Sequence, residues 1–154
     1  MAWLEGSETR DYEIDAPLDD VVDFFGNPDA FEDCLADLET LEKVGEGSWK
    51  FTLEEIAAKG ISFQGEYTVD YERDGDVVTW SSDEEGNMKS EGRMEAEHVG
   101  DEQTRVQYEE TISVELPIPK LMTKVFNPIV DREVSKGINH MLDCAKETLE
   151  SGAA

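Results

Sequence analysis

Thirty residues near the C-terminus place the strongest constraint on the fold. Between Lys120 and Leu149, apolar side chains recur at Leu121, Met122, Val125, Phe126, Ile129, Val130, Val134, Ile138, Met141, Leu142, Ala145 and Leu149. Steps of three and four put them in one broad stripe of an amphipathic helix. About 30 residues at ~1.5 Å rise make a rod of about 45 Å, enough to cross a whole domain. Such a rod needs an apolar surface of its own length to lie on. Asn127-Pro128 inside it predicts a kink, or a loose first portion before a straight second one.

The surface it needs is written upstream in period 2. Residues 8–15 alternate as a strand with Tyr12 and Ile14 on one face, and Ala16-Pro17 ends it. Leu18, Val21, Val22 and Phe25 then fall at helical spacing, with acids in the first turn, until Gly26-Asn27-Pro28 stops that helix. A second short helix over 28–35 carries Phe31, Cys34 and Leu35. A run of strands follows. LETLEKVGEG ends in a glycine turn, and SWKFTLEEI puts Trp49, Phe51 and Leu53 on one face. GISFQGEYTVDYERDGD is the clearest case, with Ile61, Phe63, Gly65, Tyr67, Val69 and Tyr71 inward and Asp74-Gly75 as a hairpin turn. VVTWSS carries Trp80, and after the turn at Glu85-Gly86-Asn87 Met88, Ser90, Gly92, Met94 and Ala96 face inward. Val106, Tyr108, Ile112, Val114 and Leu116 close the series. Hairpin-linked alternation means an antiparallel sheet with one face covered, and the C-terminal helix is what covers it. The fold class is α+β: an antiparallel sheet of six to seven strands on a long C-terminal helix, with two short helices after the first strand.

Charge bounds the partners. Of 154 residues, 38 are Asp or Glu and 13 are Lys or Arg, a formal net charge of -25. A chain so acidic does not hold a nucleic-acid backbone by its general field, which requires clustered Lys and Arg. The acids lie along the whole length, between inward apolar residues, and read as the surface of a halophile's protein, because molar salt shortens the Debye length to about 3 Å. The length fits one domain over 1–154. No apolar run is long enough for a transmembrane helix, and MAWLEGSETR has neither the basic start nor the apolar stretch of a signal peptide, so a cytoplasmic location is expected. Cys34 and Cys144, isolated and within apolar helical patterns, are expected to be free, buried and small, with no disulfide and no metal.

The order of strand, two short helices, six or so strands and a long helix resembles the START/Bet v 1-like (SRPBCC) superfamily, including polyketide cyclase/dehydrase and lipid-transport types and relatives of the G-type subunit of carbon monoxide dehydrogenase. The carriers are DAPLDDVVDFFGNPDAFEDCL after the first strand, GISFQGEYTVDYERDGD, and the ending from Pro119 to Leu149. The resemblance covers nearly the whole chain and contains no catalytic motif. It implies a helix-grip fold with a cavity between sheet and helix for an apolar or amphipathic small molecule such as a lipid, isoprenoid or polyketide-like compound.

On that reading the cavity wall comprises Trp49, Phe51, Phe63, Tyr67, Trp80, Met94 and Tyr108 on the sheet, with Met122, Phe126, Ile129 and Met141 on the helix. Solid core is the competing reading of the same aromatics; the small inward residues Gly65, Ser90, Gly92 and Ala96 favour open space. Glu110 stands on the inward face among Val106, Tyr108, Ile112 and Val114. A lone buried carboxylate costs several kcal/mol, so it needs a raised pKa, a cation such as Arg132 or Lys136, or a hydroxyl neighbour such as Tyr67. It is a candidate acid/base group or anchor for a ligand's polar end, and equally a residue a neighbour merely satisfies. His98 and His140 form no motif, and neither a phosphate loop nor an EF-hand spacing occurs, so no cofactor or metal is expected. Residues 116–130, LPIPKLMTKVFNPIV, contain no acid but carry Lys120 and Lys124. They are either the most buried stretch, or the cavity mouth and a contact patch for a membrane surface or protein. The leading function is small-molecule binding. An enzyme of cyclase/dehydratase kind using Glu110 with a tyrosine, and an accessory factor that docks a membrane or a protein, are its rivals.

Overall fold

The alternating segments pair into antiparallel sheet in the computed structural model, which describes residues 1–58 and 60–152 (for Ala58, the backbone alone). The strands are β1 (Ala2–Ile14), β2 (Leu38–Gly45), β3 (Ser48–Leu53), β4 (Ile56–Ala58), β5 (Ile61–Phe63), β6 (Glu66–Asp74), β7 (Val77–Gly86), β8 (Met88–Gly100) and β9 (Gln103–Leu116). Seven form one sheet in the order β1-β9-β8-β7-β6-β3-β2, while β4 and β5 pair as a separate two-stranded ribbon. Between β1 and β2 lie α1 (Leu18–Phe25), the one-turn α2 (Pro28–Phe31) and a 3₁₀ turn at Glu32–Cys34. Asn27 starts α2 by accepting the Asp29 amide on its side chain at 3.1 Å. After β9, a 3₁₀ turn (Lys120–Met122) leads into α3 (Thr123–Glu150), 28 residues long.

Several strand boundaries differ from the expectation: SWKFTLEEI stops at Leu53, with Ile56 opening β4, and the strand begun by VVTWSS runs on to Gly86. β1 begins at Ala2 rather than at residue 8, because Ala2, Leu4 and Gly6 continue the inward alternation and pair with the far half of β9. The segment expected to be one strand from Ile61 to Asp74 is broken at Gln64-Gly65. There the Leu53 amide donates to the Gly65 carbonyl at 2.9 Å, and a Cβ added at Gly65 would run into Met88 Sδ. The inward face survives the break: Ile61, Phe63, Gly65, Tyr67, Val69 and Tyr71 are buried or half-buried, while Ser62, Gln64, Glu66 and Asp70 are exposed.

α3 passes through Pro128 without interruption. The proline removes one backbone donor, so the Lys124 carbonyl one turn earlier loses its helical partner. The two halves of the helix are buried unequally. Ile138, Met141, Leu142, Ala145 and Leu149 are buried in the main core with Val21, Phe24, Met94 and Val106. Phe126, Ile129, Val130 and Val134 in the first half are only partly covered. A smaller cluster of Ala2, Leu4, Met88, Val114 and Ile118 lies at that end.

β1 is fastened along α3. An added Cβ at Gly6 would stand 2.7 Å from Val134 Cβ and 2.8 Å from Asp131 Cα, so only glycine allows this approach. The Ser7 amide donates to Asp131 Oδ1 at 3.2 Å and Tyr12 Oη to the Leu142 carbonyl at 3.0 Å. Arg10 donates to Asn139 Oδ1 at 3.3 Å and pairs with Asp143 at 2.7 Å.

The cysteine expectation is corrected. Cys34 and Cys144 form a disulfide with their Cα atoms 5.5 Å apart, joining the 3₁₀ turn after α2 to α3. With a sequence separation of 110, no local spacing announces the pair; the fold brings them together when α3 crosses the short helices.

Candidate ligand cavity

A cavity of about 510 Å³ opens where the two apolar clusters part, between the sheet and the first half of α3. Its floor is Phe51 and Leu53 of β3, Tyr67, Val69 and Tyr71 of β6, Met88 and Ser90 of β8, and Tyr108, Glu110, Ile112, Val114 and Leu116 of β9. Phe126, Ile129, Val130, Val134, Ile138 and Met141 form its roof. Ile56, Ile61 and Phe63 of the β4–β5 ribbon close one side, and Phe31 with residues 35–38 closes another.

Eight of the twelve residues expected at the wall line it: Phe51, Phe63, Tyr67, Tyr108, Glu110, Phe126, Ile129 and Met141. Trp49, Trp80, Met94 and Met122 are placed elsewhere. Trp49 packs edge-on against Tyr71, with ring centroids 5.8 Å apart, in the core. Trp80 lies flat over Gly92, where an added Cβ would come within 2.5 Å of the indole. Met94 is wholly buried in the core of a strand that α1 packs upon. Met122 sits exposed on the 3₁₀ turn before α3. Of the small inward residues, Gly65 and Ser90 border the space, whereas Gly92 is filled by Trp80 and Ala96 belongs to the core. Val69, Tyr71, Met88 and Ile112 also line the space, and their signal was the same inward alternation. Leu35 and Leu38 fall in the expected second helix and second strand, while Ala36 and Asp37 between them carry no periodicity that would have found them.

Glu110 is the fully hydrogen-bonded carboxylate of this wall, which also holds Asp37, Glu54 and Glu133. Its Oε1 accepts from Tyr108 Oη at 2.7 Å, and its Oε2 accepts from Ser90 Oγ. Ser90 is itself oriented: Trp80 Nε1 donates to its Oγ at 3.1 Å, and its amide donates to Ser82 Oγ at 2.9 Å. Burial pushes the Glu110 carboxyl above the usual carboxylate range, and the hydrogen bonds from Ser90 and Tyr108 oppose that without cancelling it. The Tyr67, Tyr71 and Tyr108 phenols are likewise held above their usual range, first by burial and then by the Glu110 charge. Arg132 and Lys136 do not reach Glu110: both are exposed on α3 beside Glu133, each at 4.0 Å. The partners are the hydroxyls of Ser90 and Tyr108 rather than Tyr67.

The acid-free stretch is not the most buried one. Leu121 is 92% exposed and Val125 55%, next to exposed Lys120 and Lys124. Leu116, Phe126, Ile129 and Val130 of the same stretch face the cavity. His98 and His140 are exposed, and among the described residues no three His, Cys, Asp or Glu side chains gather as a metal site. No helix among them is long and apolar enough to cross a membrane.

A sheet gripping one long helix, with an apolar cavity between them, is the START/Bet v 1-like (SRPBCC) helix-grip fold. Solved structures of that fold align over nearly the whole chain. One is TTHA0849 from Thermus thermophilus, at TM-score 0.69 and 20% identity, covering 97% of this chain and 99% of that one. Another is a START superfamily protein from Mycobacterium smegmatis, at 0.68 and 14%, covering 94% and 97%. A third is truncated norcoclaurine synthase from Thalictrum flavum, at 0.61 and 15%, covering 96% and 94%. Sequence comparison with curated proteins gives no match. The family model of the carbon monoxide dehydrogenase CoxG subunit matches residues 11–150, and the chain belongs to that family.

Proposed function

We propose that the protein binds an apolar or amphipathic small molecule, of lipid, isoprenoid or polyketide-like kind, in the cavity beneath α3. One observation carries the reading: a space of about 510 Å³ walled mainly by aliphatic and aromatic side chains, with the hydrogen-bonded Glu110 carboxyl in its wall. The ligand enters between the β4–β5 ribbon and the first turns of α3, where the helix is least covered. Native mass spectrometry of the purified protein tests this. A copurified molecule is expected that organic extraction removes and that Ile129→Trp, which fills the cavity, excludes. Mass unchanged by extraction, together with equal uptake of an apolar probe by Ile129→Trp and the wild type, overturns it.

A second reading has its own support. The family takes its name from a component of carbon monoxide dehydrogenase, and exposed Leu121 and Val125 beside Lys120 and Lys124 make an apolar, basic patch on an otherwise acidic chain. We propose this patch as the contact surface for a membrane or protein during ligand exchange. Charge reversal at Lys120 and Lys124 is expected to weaken recruitment to vesicles or to a partner; unchanged association removes the idea. The enzymatic alternative rests on the Tyr108–Glu110 contact as an acid/base pair, with an enzyme, norcoclaurine synthase, among the structures of like fold. Turnover that Glu110→Gln leaves intact would end it.

A further inference from the structure

The polar end of the cavity has more structure than an apolar ligand requires, and three features point to one chemical class. First, both Glu110 oxygens accept hydrogen bonds, from Tyr108 Oη at 2.7 Å and from Ser90 Oγ. The Ser90 hydroxyl has little choice of direction, because Trp80 Nε1 already donates to its oxygen at 3.1 Å. The donors are therefore set out for an anion. Second, that anion has no counter-charge: no Lys, Arg or His lines the cavity among the described residues, and its other carboxylates are Asp37, Glu54 and Glu133. Burying a carboxylate without a cation is costly, and the hydrogen bonds offset that only in part. Third, the Tyr67 and Tyr71 hydroxyls line the same space and have no hydrogen-bond partner among the described residues. Both phenols feel the Glu110 charge.

We infer that the ligand carries a protonated amine, seated on Glu110 with its remaining N–H groups on the Tyr67 and Tyr71 oxygens and its apolar body along Ile112, Phe126 and Ile129. An alkylammonium has three donors and no acceptor, which matches one Glu110 oxygen and two phenol oxygens. The surrounding aromatic faces add a cation–π contribution where water is scarce. An anionic head group meets only like charge here. This inference rests on the cavity reading proposed above and narrows its ligand to amphipathic amines.

Decylamine, decan-1-ol and decanoate are the probes, followed by calorimetry or intrinsic fluorescence at pH 7 in molar KCl, where non-specific attraction to the acidic surface is screened. Decylamine is expected to bind at least tenfold more tightly than decan-1-ol, and decanoate not detectably. Glu110→Gln should abolish the amine's advantage over the alcohol. Tyr67→Phe with Tyr71→Phe, which keeps the rings, should reduce the amine's affinity alone. Equal affinities of amine and alcohol, or an advantage that persists in Glu110→Gln, overturn the amine assignment and leave the cavity reading standing. Failure of all three probes to bind overturns both.

Discussion

Glu8 and Glu110 are direct cross-strand partners on β1 and β9, on the same face of the sheet, yet their carboxyls are displaced in opposite directions. Like charges at such a position destabilise a sheet unless they are separated or neutralised. Here they turn apart. Glu8 reaches α3, where Ser135 Oγ and Asn139 Nδ2 donate to Oε2, the latter at 2.8 Å, and these bonds hold its carboxyl below the usual range. Glu110 turns toward β8 into the cavity, and burial raises it.

The two therefore contribute to stability with opposite pH dependence. Glu8 ionises more readily folded than unfolded, so its contribution is present above the ordinary carboxylate pKa and is lost as pH falls through its lowered folded value. Glu110 holds its proton more tightly when folded, so its contribution is complete in acid and is lost as pH rises from the ordinary range through its raised value. Denaturation midpoints measured from pH 3 to 8 should show Glu8→Gln less stable than wild type near neutrality and indistinguishable in acid. Glu110→Gln should instead be at least as stable as wild type near neutrality, its advantage fading in acid. Parallel curves for the two variants would contradict these assignments.

Gly92 is where the sheet makes room for the Trp80 indole that orients Ser90. A methyl there would stand 2.5 Å from Trp80 Cζ2 and meet the Glu109 carbonyl, so Gly92→Ala is expected to cost about 1–3 kcal/mol by overpacking. The same change at Gly137 meets nothing within 4 Å and lies inside α3, so Gly137→Ala should gain about 0.5–1 kcal/mol in helix propensity. Urea midpoints of the two variants should move in opposite directions.

How much of this was legible follows from what periodicity measures. Alternation told which side of a strand is inward, and it did so correctly for Met94, Trp80 and Tyr108 alike. It could not tell what lies above each position. Met94 is buried in core that α1 helps to cover, Trp80 fills the gap over Gly92, and Tyr108 looks into open space. The helical stripe of α3 was legible in the same way, but its unequal burial depends on where the sheet curves away from it. The first half of β1 was missed because Ala2, Leu4 and Gly6 are a weak apolar signal, made a strand by pairing with β9. Glu110 was legible because a carboxylate in an inward register is an anomaly that sequence alone exposes.

The disulfide was not legible, and it closes a loop of 110 residues. On the chain-entropy account a cross-link over so long a loop stabilises by about 4–5 kcal/mol, and removing native bridges costs about 2–5 kcal/mol in practice. The bridge also ties α3 to the segment leading into the cavity wall at residues 35–38. Cys34→Ser with Cys144→Ser should lower stability within that range and weaken binding of an apolar probe. Thiol titration of the unfolded, unreduced protein should find no free cysteine; two reactive thiols would show that the bridge does not form.

The net charge of -25 leads to the last expectation. The few cations are mostly committed to single partners, as in Arg105–Asp11 at 2.6 Å and Arg73–Asp23 at 2.5 Å, which leaves most surface carboxylates uncompensated. Exposed pairs of this kind contribute about 0–1 kcal/mol each and do not offset repulsion spread over the whole surface. Salt removes that repulsion once the Debye length, about 10 Å at 0.1 M, shrinks to about 3 Å at 1 M. On the proposal that this surface suits molar salt, the melting temperature should rise steadily from millimolar to molar KCl. Most of the rise should come below 1 M, where screening changes fastest. Neutralising acids on the outward face of β8 (Glu91, Glu95 and Glu97) to Gln should raise the low-salt melting temperature while leaving the high-salt value nearly unchanged. A melting temperature indifferent to salt would remove the halophile reading and require that the folded chain relieve its repulsion by other means.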